Sequence, residues 1–413
     1  MNYLQADRII GAIGAVSNGK STVIEALTGI KTQRHAKEKK SNRTIRVGYA
    51  NTIIFKCPNC QEPECYQFSQ SSQNSCVCEM CQSECEFQTH ISFTDVPGHN
   101  LFMSTMLNGT CAMDYAIMIE SCANENIPSL QTIEHYEILR RKKIPIILVC
   151  LNKVDLMRKN PGKVKEIMAR LRKFIFDSEG TLVPVIPVSG TLNCNMDIVR
   201  EYICKTRLPA KNVDADPKMF AIRSFNVNLP KTKINEIKGG VIGGCLQRGT
   251  FRIGDELMLS PGYLQKTEGV FHSIPIKCKI LSIDSEQNEL EYATRGGLIG
   301  VQLDIDPALT ANDGMVGQML YPYSSSDKYK VYSNLNIEYE IIHDIKINNG
   351  DKLVVNVNAN NVKCEVCEIN QKNIVLQLEY PVCVELNDMV TISVGSSGGC
   401  INIYASGNII NGN

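Results

Sequence analysis

The chain has 413 residues, which is longer than one compact core usually supports, so its length predicts two to four domains and we expect three. Hydrophobic residues make up 43% of the sequence and charged residues 21%, values that argue against disorder on a large scale. Lysine plus arginine and aspartate plus glutamate both number 43, so the net charge gives no sign of a nucleic-acid partner, and any such surface must be local. The sequence shows neither a signal-like start nor an apolar run of membrane-spanning length, which disfavours secretion and membrane insertion.

The first half of the chain alternates predicted strands and helices. An apolar strand ending at Ile13 leads through a glycine-rich turn into a helix over residues 21–27 that ends at Gly29. The alternation continues with predicted strands over 91–96, 115–120, 144–151 and 183–188, and with predicted helices over 101–108, 129–141 and 163–176. This order predicts a parallel sheet covered by helices on both faces.

The second half of the chain has a different sequence pattern. After Leu208, short alternating runs such as 219–227 and 250–259 lie between Gly and Pro turns, a pattern typical of β-barrels or sandwiches. A weaker break over 321–328 is expected to be a linker. We therefore predict three domains, over residues 1–208, 209–326 and 327–413.

Residues 14–21, Gly-Ala-Val-Ser-Asn-Gly-Lys-Ser, fit the phosphate-binding loop pattern and lie between a predicted strand and a predicted helix. Glycines let the backbone curl so that its N–H groups face phosphate oxygens, and the following helix adds its positive N-terminal end. Lys20 is expected to reach the β- and γ-phosphates, and the Ser21 hydroxyl is expected to bind Mg²⁺. A chance glycine turn is the alternative, and the strand and helix around the motif disfavour it.

A second motif, Asp95-Val96-Pro97-Gly98, ends the next strong strand. Asp95 is placed to hold the magnesium shell, and Gly98 is placed to offer its N–H to the γ-phosphate. His99 follows directly and is a candidate for orienting the attacking water, a role that a glutamine fills in some nucleotide hydrolases. The alternative for His99 is a simple packing role.

Guanine specificity is predicted from the end of the third motif, Asn152-Lys153-Val154-Asp155, which closes the strand over 144–151. The Asp155 carboxylate can accept two hydrogen bonds from the N1 and amino groups of guanine, and adenine lacks that pair of donors. Ser189 and Gly190 follow the strand over 183–188, where their amides are expected to contact the guanine oxygen. The motifs stand in the order that a GTP site requires.

Seven of the eighteen cysteines fall between Cys57 and Cys85, a distribution that fits a reduced, cytosolic chain with one metal site. Two CxxC pairs are separated by 17 residues, a spacing that lets two knuckles supply four thiolates to tetrahedral zinc: Cys57 and Cys60, then Cys78 and Cys81. The zinc is expected to be structural, in an insert over about 57–85. Three nearby cysteines remain alternative ligands: Cys65, Cys76 and Cys85. A third CxxC, Cys364 to Cys367, has no second pair nearby and is interpreted as strand cysteines.

Together these residues resemble a known family over nearly the whole chain. The family is the gamma subunit of archaeal and eukaryotic translation initiation factor two, a relative of elongation factor Tu. The matching stretches are 44–51 for the first switch, 95–99 and 106–109 for the second switch region, and 223–225, 238–244 and 296–301 in the second domain. The resemblance implies an α/β P-loop GTPase domain with a zinc-knuckle insert, followed by two β-barrel domains.

The resemblance also implies an activity and partners. A member of this family binds GTP and Mg²⁺, carries methionyl initiator tRNA to the small ribosomal subunit and hydrolyses GTP during start-codon selection. It is cytoplasmic, has no membrane partner, and works with alpha and beta subunits and with GTPase-activating and nucleotide-exchange factors. Carried over by motif, Thr44 would bind Mg²⁺ with Ser21 and Asp95, and His99 would be catalytic. The expected GTP-binding residues are Ala15, Val16, Ser17, Asn18, Gly19, Lys20, Ser21, Thr22, Gly98, Asn152, Lys153, Asp155, Ser189 and Gly190.

The expected tRNA contacts are fewer. By the resemblance, Tyr49 would lie near the acceptor end of the tRNA, and Lys238 stands beside glycines that would let backbone approach the RNA, although such turns are ordinary in barrels. The basic run 31–43 either meets phosphate or is a solvated loop.

The chain also departs from the family pattern. Asn18 stands where the family usually has histidine, and Gly190 stands where alanine is usual, so altered nucleotide affinity is expected. The chain has no tryptophan, and 393–413 lacks the family's tryptophan-containing ending. Two alternatives stay open: a nucleotide-binding scaffold subunit with negligible hydrolysis, and an elongation-type factor for a specialised aminoacyl-tRNA. The identity of the bound tRNA distinguishes the two tRNA-carrying functions.

Overall fold

The computed structural model describes residues 4–33, 44, 47–70, 73, 75–99, 102–395 and 401–413. The chain divides into two compact units, Met1–Ala210 and Lys211–Asn413. This division lies two residues beyond the predicted boundary at 208, and the three predicted domain ranges stay predictions. None of the helices in the described ranges has both the length and the apolar character needed to cross a membrane.

The first unit is built on a seven-stranded sheet in the order β3-β2-β4-β1-β5-β6-β7. Its strands are β1 (Arg8–Ile13), β2 (Gly48–Lys56), β3 (Tyr66–Ser69), β4 (Glu86–Asp95), β5 (Tyr115–Ser121), β6 (Ile146–Asn152) and β7 (Val185–Pro187). The described helices are α1 (Lys20–Thr28), α2 (Met103–Thr110), α3 (Leu130–Arg141), α4 (Pro161–Glu179) and α5 (Met196–Lys205). The prediction of alternating strands and helices is thus confirmed, with α5 in addition.

The sheet is mixed rather than wholly parallel. Strands β4, β1, β5, β6 and β7 run parallel as predicted. Strand β2 pairs antiparallel with both β4 and β3, so the prediction of a parallel sheet is wrong at this edge. The reason is a short connection: residues 57–65 join β2 to β3 without a crossover helix, and such a short connection can join neighbouring strands only when they are antiparallel.

Local signals set the ends of the helices. Asn160 caps α4 by accepting a hydrogen bond from the Lys163 N–H at 3.3 Å, and a proline stands in the first turn. Gly180 ends α4 with a left-handed φ of 68°, and Gly29 ends α1 in the same way with a φ of 72°. These caps make α4 longer than the predicted 163–176.

The second unit contains two closed β-barrels, which confirms the predicted class. In the first barrel, the ring β11-β16-β8-β9-β15-β12 closes through pairing of β11 with β12. Its elements are β8 (Lys218–Phe225), β9 (Val241–Arg248), β10 (Thr250–Arg252), β11 (Glu256–Thr267), β12 (Val270–Ser285), β13 (Asn288–Leu290), β14 (Tyr292–Thr294), β15 (Ile299–Leu303), α6 (Pro307–Thr310) and β16 (Met319–Pro322).

The second barrel is the ring β17-β20-β19-β18-β21-β22. Its strands are β17 (Lys330–Ile341), β18 (Lys352–Val357), β19 (Asn360–Ile369), β20 (Asn373–Val384), β21 (Met389–Gly395) and β22 (Ile401–Gly412). The predicted linker between the barrels is a 3₁₀ turn, Tyr323–Lys328, and the Tyr321 and Tyr329 rings on either side of it stack with centroids 4.1 Å apart. Cys364 and Cys367 lie on β19, which confirms them as strand cysteines.

Candidate functional site

The phosphate-binding loop connects β1 to α1 and borders a cavity of about 780 Å³. The Lys20 ammonium is buried and donates to the Gly14 carbonyl at 2.9 Å and to the Ala15 carbonyl at 3.1 Å. Burial lowers the pKa of Lys20 to about 8, against the opposing influence of Asp95. The negative charge of a phosphate group in the cavity would stabilise the ammonium form of Lys20 and raise this pKa. Ten predicted residues line the cavity: Val16, Ser17, Gly19, Lys20, Ser21, Thr22, Thr44, Gly98, His99 and Lys153.

Two glycines allow the close packing around this cavity. Gly19 has a φ of 88°, and a Cβ there would lie 2.3 Å from the Asn152 amide nitrogen. A Cβ on Gly98 would lie 2.4 Å from the Lys20 ammonium nitrogen and 2.8 Å from the Gly14 carbonyl oxygen. The loop after β4 therefore lies directly against the phosphate-binding loop, which brings two of the predicted motifs together.

A cluster of oxygen atoms at the end of β4 fits a magnesium ion. One Asp95 carboxylate oxygen accepts hydrogen bonds from the hydroxyls of Ser21 and Thr32, both at 2.6 Å, while its other oxygen is buried and has no partner in the described residues. The Thr44 hydroxyl lies 3.2 Å from that of Ser21 and 3.5 Å from Asp95. Hydroxyl and carboxylate oxygens are the hard ligands that Mg²⁺ prefers. Thr32 was not predicted, because it lies 63 residues from Asp95 and belongs to no motif.

The guanine motif is tied to the phosphate-binding loop by one amide. The Asn152 side chain donates to the Asn18 carbonyl at 2.9 Å and accepts from the Gly190 N–H at 3.1 Å. The Ser189 hydroxyl donates to Asp155 at 2.6 Å, and the Ser189 N–H donates to the Cys194 carbonyl at 3.3 Å. The two segments predicted to read guanine thus meet each other and the phosphate-binding loop, and contact of the Ser189 and Gly190 amides with the base stays a prediction.

The two departures from the family pattern have structural explanations. A Cβ on Gly190 would meet Thr22 atoms at 3.3 Å, a tight contact that glycine relieves. The Asn18 side chain is fully buried and points away from the cavity, toward β5. Its amide donates to the Ile119 carbonyl at 2.8 Å and to Glu120 at 3.1 Å. Asn18 therefore supports the phosphate-binding loop from the protein interior rather than from the cavity.

Glu120, at the end of β5, is the centre of that buried network and was not predicted. Its carboxylate accepts four hydrogen bonds: from the Ser129 N–H at 3.0 Å, the Ser129 hydroxyl at 3.1 Å, Asn18 at 3.1 Å and Asn124 at 3.2 Å. Asn124 also donates to the Asn18 amide oxygen at 2.9 Å. Four donors surrounding one buried acid satisfy it without a direct cationic partner.

The start of α3 supports the same loop from another side. The loop N–H groups donate to three α3 side chains: Gly14 to His135 at 3.4 Å, Ala15 to Thr132 at 3.0 Å and Val16 to Gln131 at 3.4 Å. Burial lowers the pKa of His135 to about 3, so its ring is neutral and can accept this bond.

The remaining predicted residues lie in different places. His99 is half-buried at the cavity wall, with its ring in an edge-to-face contact with Phe102 at 6.2 Å between centroids. Tyr49 is half-buried on β2 and pairs with Thr94. Lys238 is exposed just before β9, in the second unit. Most of the basic run 31–43 lies outside the described residues.

The four predicted zinc ligands come together. Their sulphur atoms lie within 4.8 Å of one another, with separations of 3.4 Å for Cys57 and Cys81 and 3.6 Å from Cys60 to both Cys78 and Cys81. Four sulphurs at about 2.3 Å from a tetrahedral ion lie about 3.8 Å apart, so the cluster fits zinc. Hydrogen bonding from the Cys81 backbone lowers the pKa of Cys78 to about 6, which favours the thiolate that zinc binds. None of the alternative cysteines belongs to this cluster among the described residues.

Two known protein families match separate parts of the chain. Residues 5–210 match the family described as elongation factor Tu GTP binding domain. Residues 334–395 match the family described as initiation factor eIF2 gamma, C terminal.

Two curated proteins are similar over most of the chain. The eukaryotic translation initiation factor 2 subunit gamma of Schizosaccharomyces pombe is 36% identical over 408 residues, covering 94% of this chain and 90% of that protein. The eukaryotic translation initiation factor 2 subunit 3 of Drosophila melanogaster is 34% identical over 411 residues, covering 94% of this chain and 86% of that protein.

Two solved structures share the fold. A bacterial selenocysteine-specific elongation factor, EF-Sec, superposes with a TM-score of 0.72 at 19% identity. The match covers 98% of this chain and 58% of that longer chain. Elongation factor SelB from Methanococcus maripaludis, in complex with a GTP analogue, gives a TM-score of 0.71 at 18% identity. The match covers 100% of this chain and 80% of that chain. At these identities the structures indicate the fold alone.

Proposed function

Since the chain belongs to the family of gamma subunits of eukaryotic translation initiation factor 2, we propose that it carries methionyl initiator tRNA to the small ribosomal subunit and hydrolyses GTP when the start codon is selected. It is a translation initiation GTPase with a domain of the elongation factor Tu type. The observation that carries the proposal is the likeness to two gamma subunits along nearly the whole chain, barrels included.

Nucleotide binding is assigned to the cavity beside the phosphate-binding loop. Lys20 and the loop N–H groups that do not donate to α3 would hold the phosphates, while Asp155 would accept from guanine. Ser21, Thr44 and Asp95 would hold Mg²⁺, which supplies charge neutralisation at the β- and γ-phosphates when bound. The oxygen cluster and its unpartnered carboxylate oxygen support this assignment.

Hydrolysis is assigned to His99 as the catalytic residue. It lines the same cavity as Lys20, Ser21 and Gly98, which supports a role in orienting the water that attacks the γ-phosphate. The residue orients that water, and the cations around the phosphates stabilise the charge of the transition state.

For tRNA we propose contacts by Tyr49 and Lys238, with the adjoining glycines serving the barrel itself. A Cβ on Gly239 would lie 1.9 Å from the Leu303 carbonyl oxygen, so this glycine is explained by packing within the first barrel. Lys238 is held at the barrel surface by Asn228, whose side chain accepts from its N–H and donates to its carbonyl, both at 2.7 Å.

The proposed partners are the alpha and beta subunits of the same factor, the small ribosomal subunit, and GTPase-activating and nucleotide-exchange factors, in the cytoplasm. The zinc knuckle is proposed to be structural, because its four thiols leave no open position for a substrate.

Filter binding tests the proposal. Purified protein is incubated with labelled initiator or elongator methionyl-tRNA, each with a non-hydrolysable GTP analogue or with GDP. We expect retention of the initiator in preference to the elongator, and mainly with the GTP analogue. Equal retention of both tRNAs would favour an elongation-type factor. Nucleotide binding without any tRNA binding, even after addition of alpha and beta subunits, would favour a scaffold subunit.

A further inference from the structure

We propose that the exposed face of α4, together with the turn before it, binds the phosphate backbone of folded RNA at a surface separate from the nucleotide site. We call this the α4 basic surface, and it consists of Arg158, Lys159, Lys163, Lys165, Arg172 and Lys173. All six side chains belong to exposed residues. The inference goes beyond tRNA delivery and does not depend on it.

The charge of this segment departs from the balance of the chain as a whole. Residues 158–173 contain seven lysines and arginines against one acidic residue, whereas the whole chain balances 43 of each sign. The single acid, Glu166, is used by Arg170 in an ion pair at 3.0 Å. The other six cations form no ion pair within the described part of the chain. The local positive potential is therefore not neutralised by the protein.

The helix is held so that these cations face solvent. Its buried side is apolar, formed by Ile167, Leu171 and Ile175. Lys165 and Arg172 lie seven positions apart, two turns along one flank of the exposed side. From Lys163 to Lys173 the helix rises about 15 Å, which is long enough to meet several successive phosphates of one strand.

The composition of the surface favours RNA over a protein partner. Stable protein interfaces usually have a buried core of large apolar or aromatic anchors with charges at the rim. Of the exposed residues from Lys163 to Lys173 only Ala169 is apolar, while the exposed Leu156 and Phe176 lie outside this range, so the range itself lacks such a core. Contacts with a nucleic-acid backbone need positive charge at intervals and little apolar area, which is what the α4 basic surface offers.

The surface is distinct from the GTP site. None of its six residues lines the cavity beside the phosphate-binding loop. Lys153, which does line it, lies on the other side of the 3₁₀ turn Val154–Met157. Neutralising the α4 basic surface should therefore leave nucleotide binding intact, so the surface can be tested in the full-length protein.

The test measures binding of a labelled RNA hairpin by fluorescence anisotropy over a series of salt concentrations. The test variant combines Lys163→Gln, Lys165→Gln, Arg172→Gln and Lys173→Gln, because glutamine keeps helix propensity without charge. The matched control removes four exposed lysines from the second barrel: Lys330→Gln, Lys346→Gln, Lys363→Gln and Lys372→Gln. GTP affinity and thermal unfolding are measured for both, and the pair Lys165→Gln with Arg172→Gln replaces the test variant if that variant fails to fold.

We expect the test variant to bind the hairpin at least about tenfold more weakly at low salt, with the slope of log affinity against log salt reduced by about 3. The control should bind like the wild type, and both should keep GTP affinity. Equal weakening in test and control variants would overturn the proposal, as would an unchanged salt slope.

Competing polyanions separate the alternatives. Wild-type protein is also titrated with anionic lipid vesicles, with polyglutamate and with initiator tRNA. Binding to vesicles or polyglutamate that exceeds binding to the hairpin and depends on the same four cations would contradict an RNA surface. If the test variant loses the hairpin but keeps GTP-dependent initiator tRNA binding, the surface serves an RNA other than the delivered tRNA. Failure of tRNA binding in the wild type, even after addition of alpha and beta subunits, would contradict the proposed function and leave this inference standing.

Discussion

The side chain of Asn18 donates a hydrogen bond to Glu120 at 3.1 Å, in the interior directly beneath the phosphate-binding loop. Asn18 also offers its backbone carbonyl to Asn152 at 2.9 Å, so a single residue joins the buried carboxylate to the guanine motif. The loop is thus positioned by the protein interior before any nucleotide arrives, which reduces the ordering cost of binding.

Glu120→Gln should weaken both the fold and nucleotide binding. The new amide NH₂ faces at least one group that itself donates, which leaves a buried donor unsatisfied at a cost of about 2 kcal/mol. We expect the unfolding free energy, measured by urea denaturation of nucleotide-free protein, to fall by that amount, and GDP to bind about tenfold more weakly because the loop is less ordered. Glu125→Gln, the same change at an exposed position of the same segment, is the control. Equal behaviour of the two variants would show that the network does not position the loop.

Local spacing explains why so much of the site could be predicted. The phosphate-binding loop, the residues around Asp95 and Asp155, and the paired cysteines are each short segments whose chemistry is contained in adjacent residues. Parallel strands then deliver such segments to one edge of the sheet. The motifs meet around Lys20 and Asn152 for that reason.

The parts that were missed depend on contacts distant in sequence. Glu120 meets Asn18 across 102 residues, and His135 meets Gly14 across 121 residues. Neither belongs to a motif, since a buried acid and a helical histidine look ordinary in the sequence. The antiparallel pairing of β2 was missed because strand direction depends on the short connection from β2 to β3, which hydrophobic patterning does not reveal.

Nucleotide binding should take up a proton at alkaline pH. Burial lowers the pKa of Lys20 to about 8, so this lysine is charged at pH 7 and increasingly neutral above pH 8. Phosphate oxygens beside the ammonium favour the charged form and raise its pKa. Affinity for GDP should therefore fall with rising pH above about 8, by at most about tenfold per pH unit for one proton.

Isothermal titration calorimetry in buffers of different ionisation enthalpy measures this uptake directly. The number of protons taken up should be near zero at pH 7 and should rise toward one above pH 8. Lys20→Arg is the control, because a guanidinium stays charged throughout this range. Proton uptake that is the same in wild type and Lys20→Arg would assign the effect to another group.

Replacing His99 with alanine should separate hydrolysis from binding. The ring lines the cavity but forms no part of the oxygen cluster at Asp95, so GTP affinity should remain within about twofold while activated hydrolysis slows by about 100-fold to 10,000-fold. Single-turnover hydrolysis with an activating protein gives the rate. His99→Gln should recover part of it, because glutamine orients water in other GTPases. An unchanged rate in His99→Ala would restrict this residue to packing against Phe102.

Loss of zinc should unfold the knuckle and spare the nucleotide site. Gly48 pairs with Asp95 at one end of β2 and Lys56 pairs with Glu86 at the other, so the knuckle end lies about 26 Å from the site end. Metal analysis should find one zinc per chain in wild type and none in Cys81→Ser. Cys76→Ser, which changes a neighbouring thiol outside the cluster, should retain zinc. A fall in GDP affinity in Cys81→Ser that is absent in Cys76→Ser would mean that the knuckle also shapes the nucleotide site.

The two barrels of the second unit are joined by an ion cluster around the buried Lys218. Its ammonium lies 3.0 Å from Glu385 and 3.0 Å from Asp388, while Arg248 binds Glu385 through two nitrogens, with contacts of 2.9 and 3.0 Å. Lys218 is almost fully buried, so Lys218→Met leaves two carboxylates without their shared cation.

We expect Lys218→Met to lower the free energy of unfolding by about 2 kcal/mol. This loss is smaller than the usual value for a buried ion pair, because Glu385 and Asp388 are partly exposed. Hydrogen exchange followed by mass spectrometry should report this cost locally, as about thirtyfold faster exchange in peptides covering β8 and the turn between β20 and β21. Lys330→Met, at an exposed position of β17, should leave the same peptides unchanged. Because Arg248 still neutralises Glu385, adding Asp388→Asn to Lys218→Met should recover part of the protection. No recovery in the double variant would mean that lost packing, rather than unpaired charge, accounts for the effect.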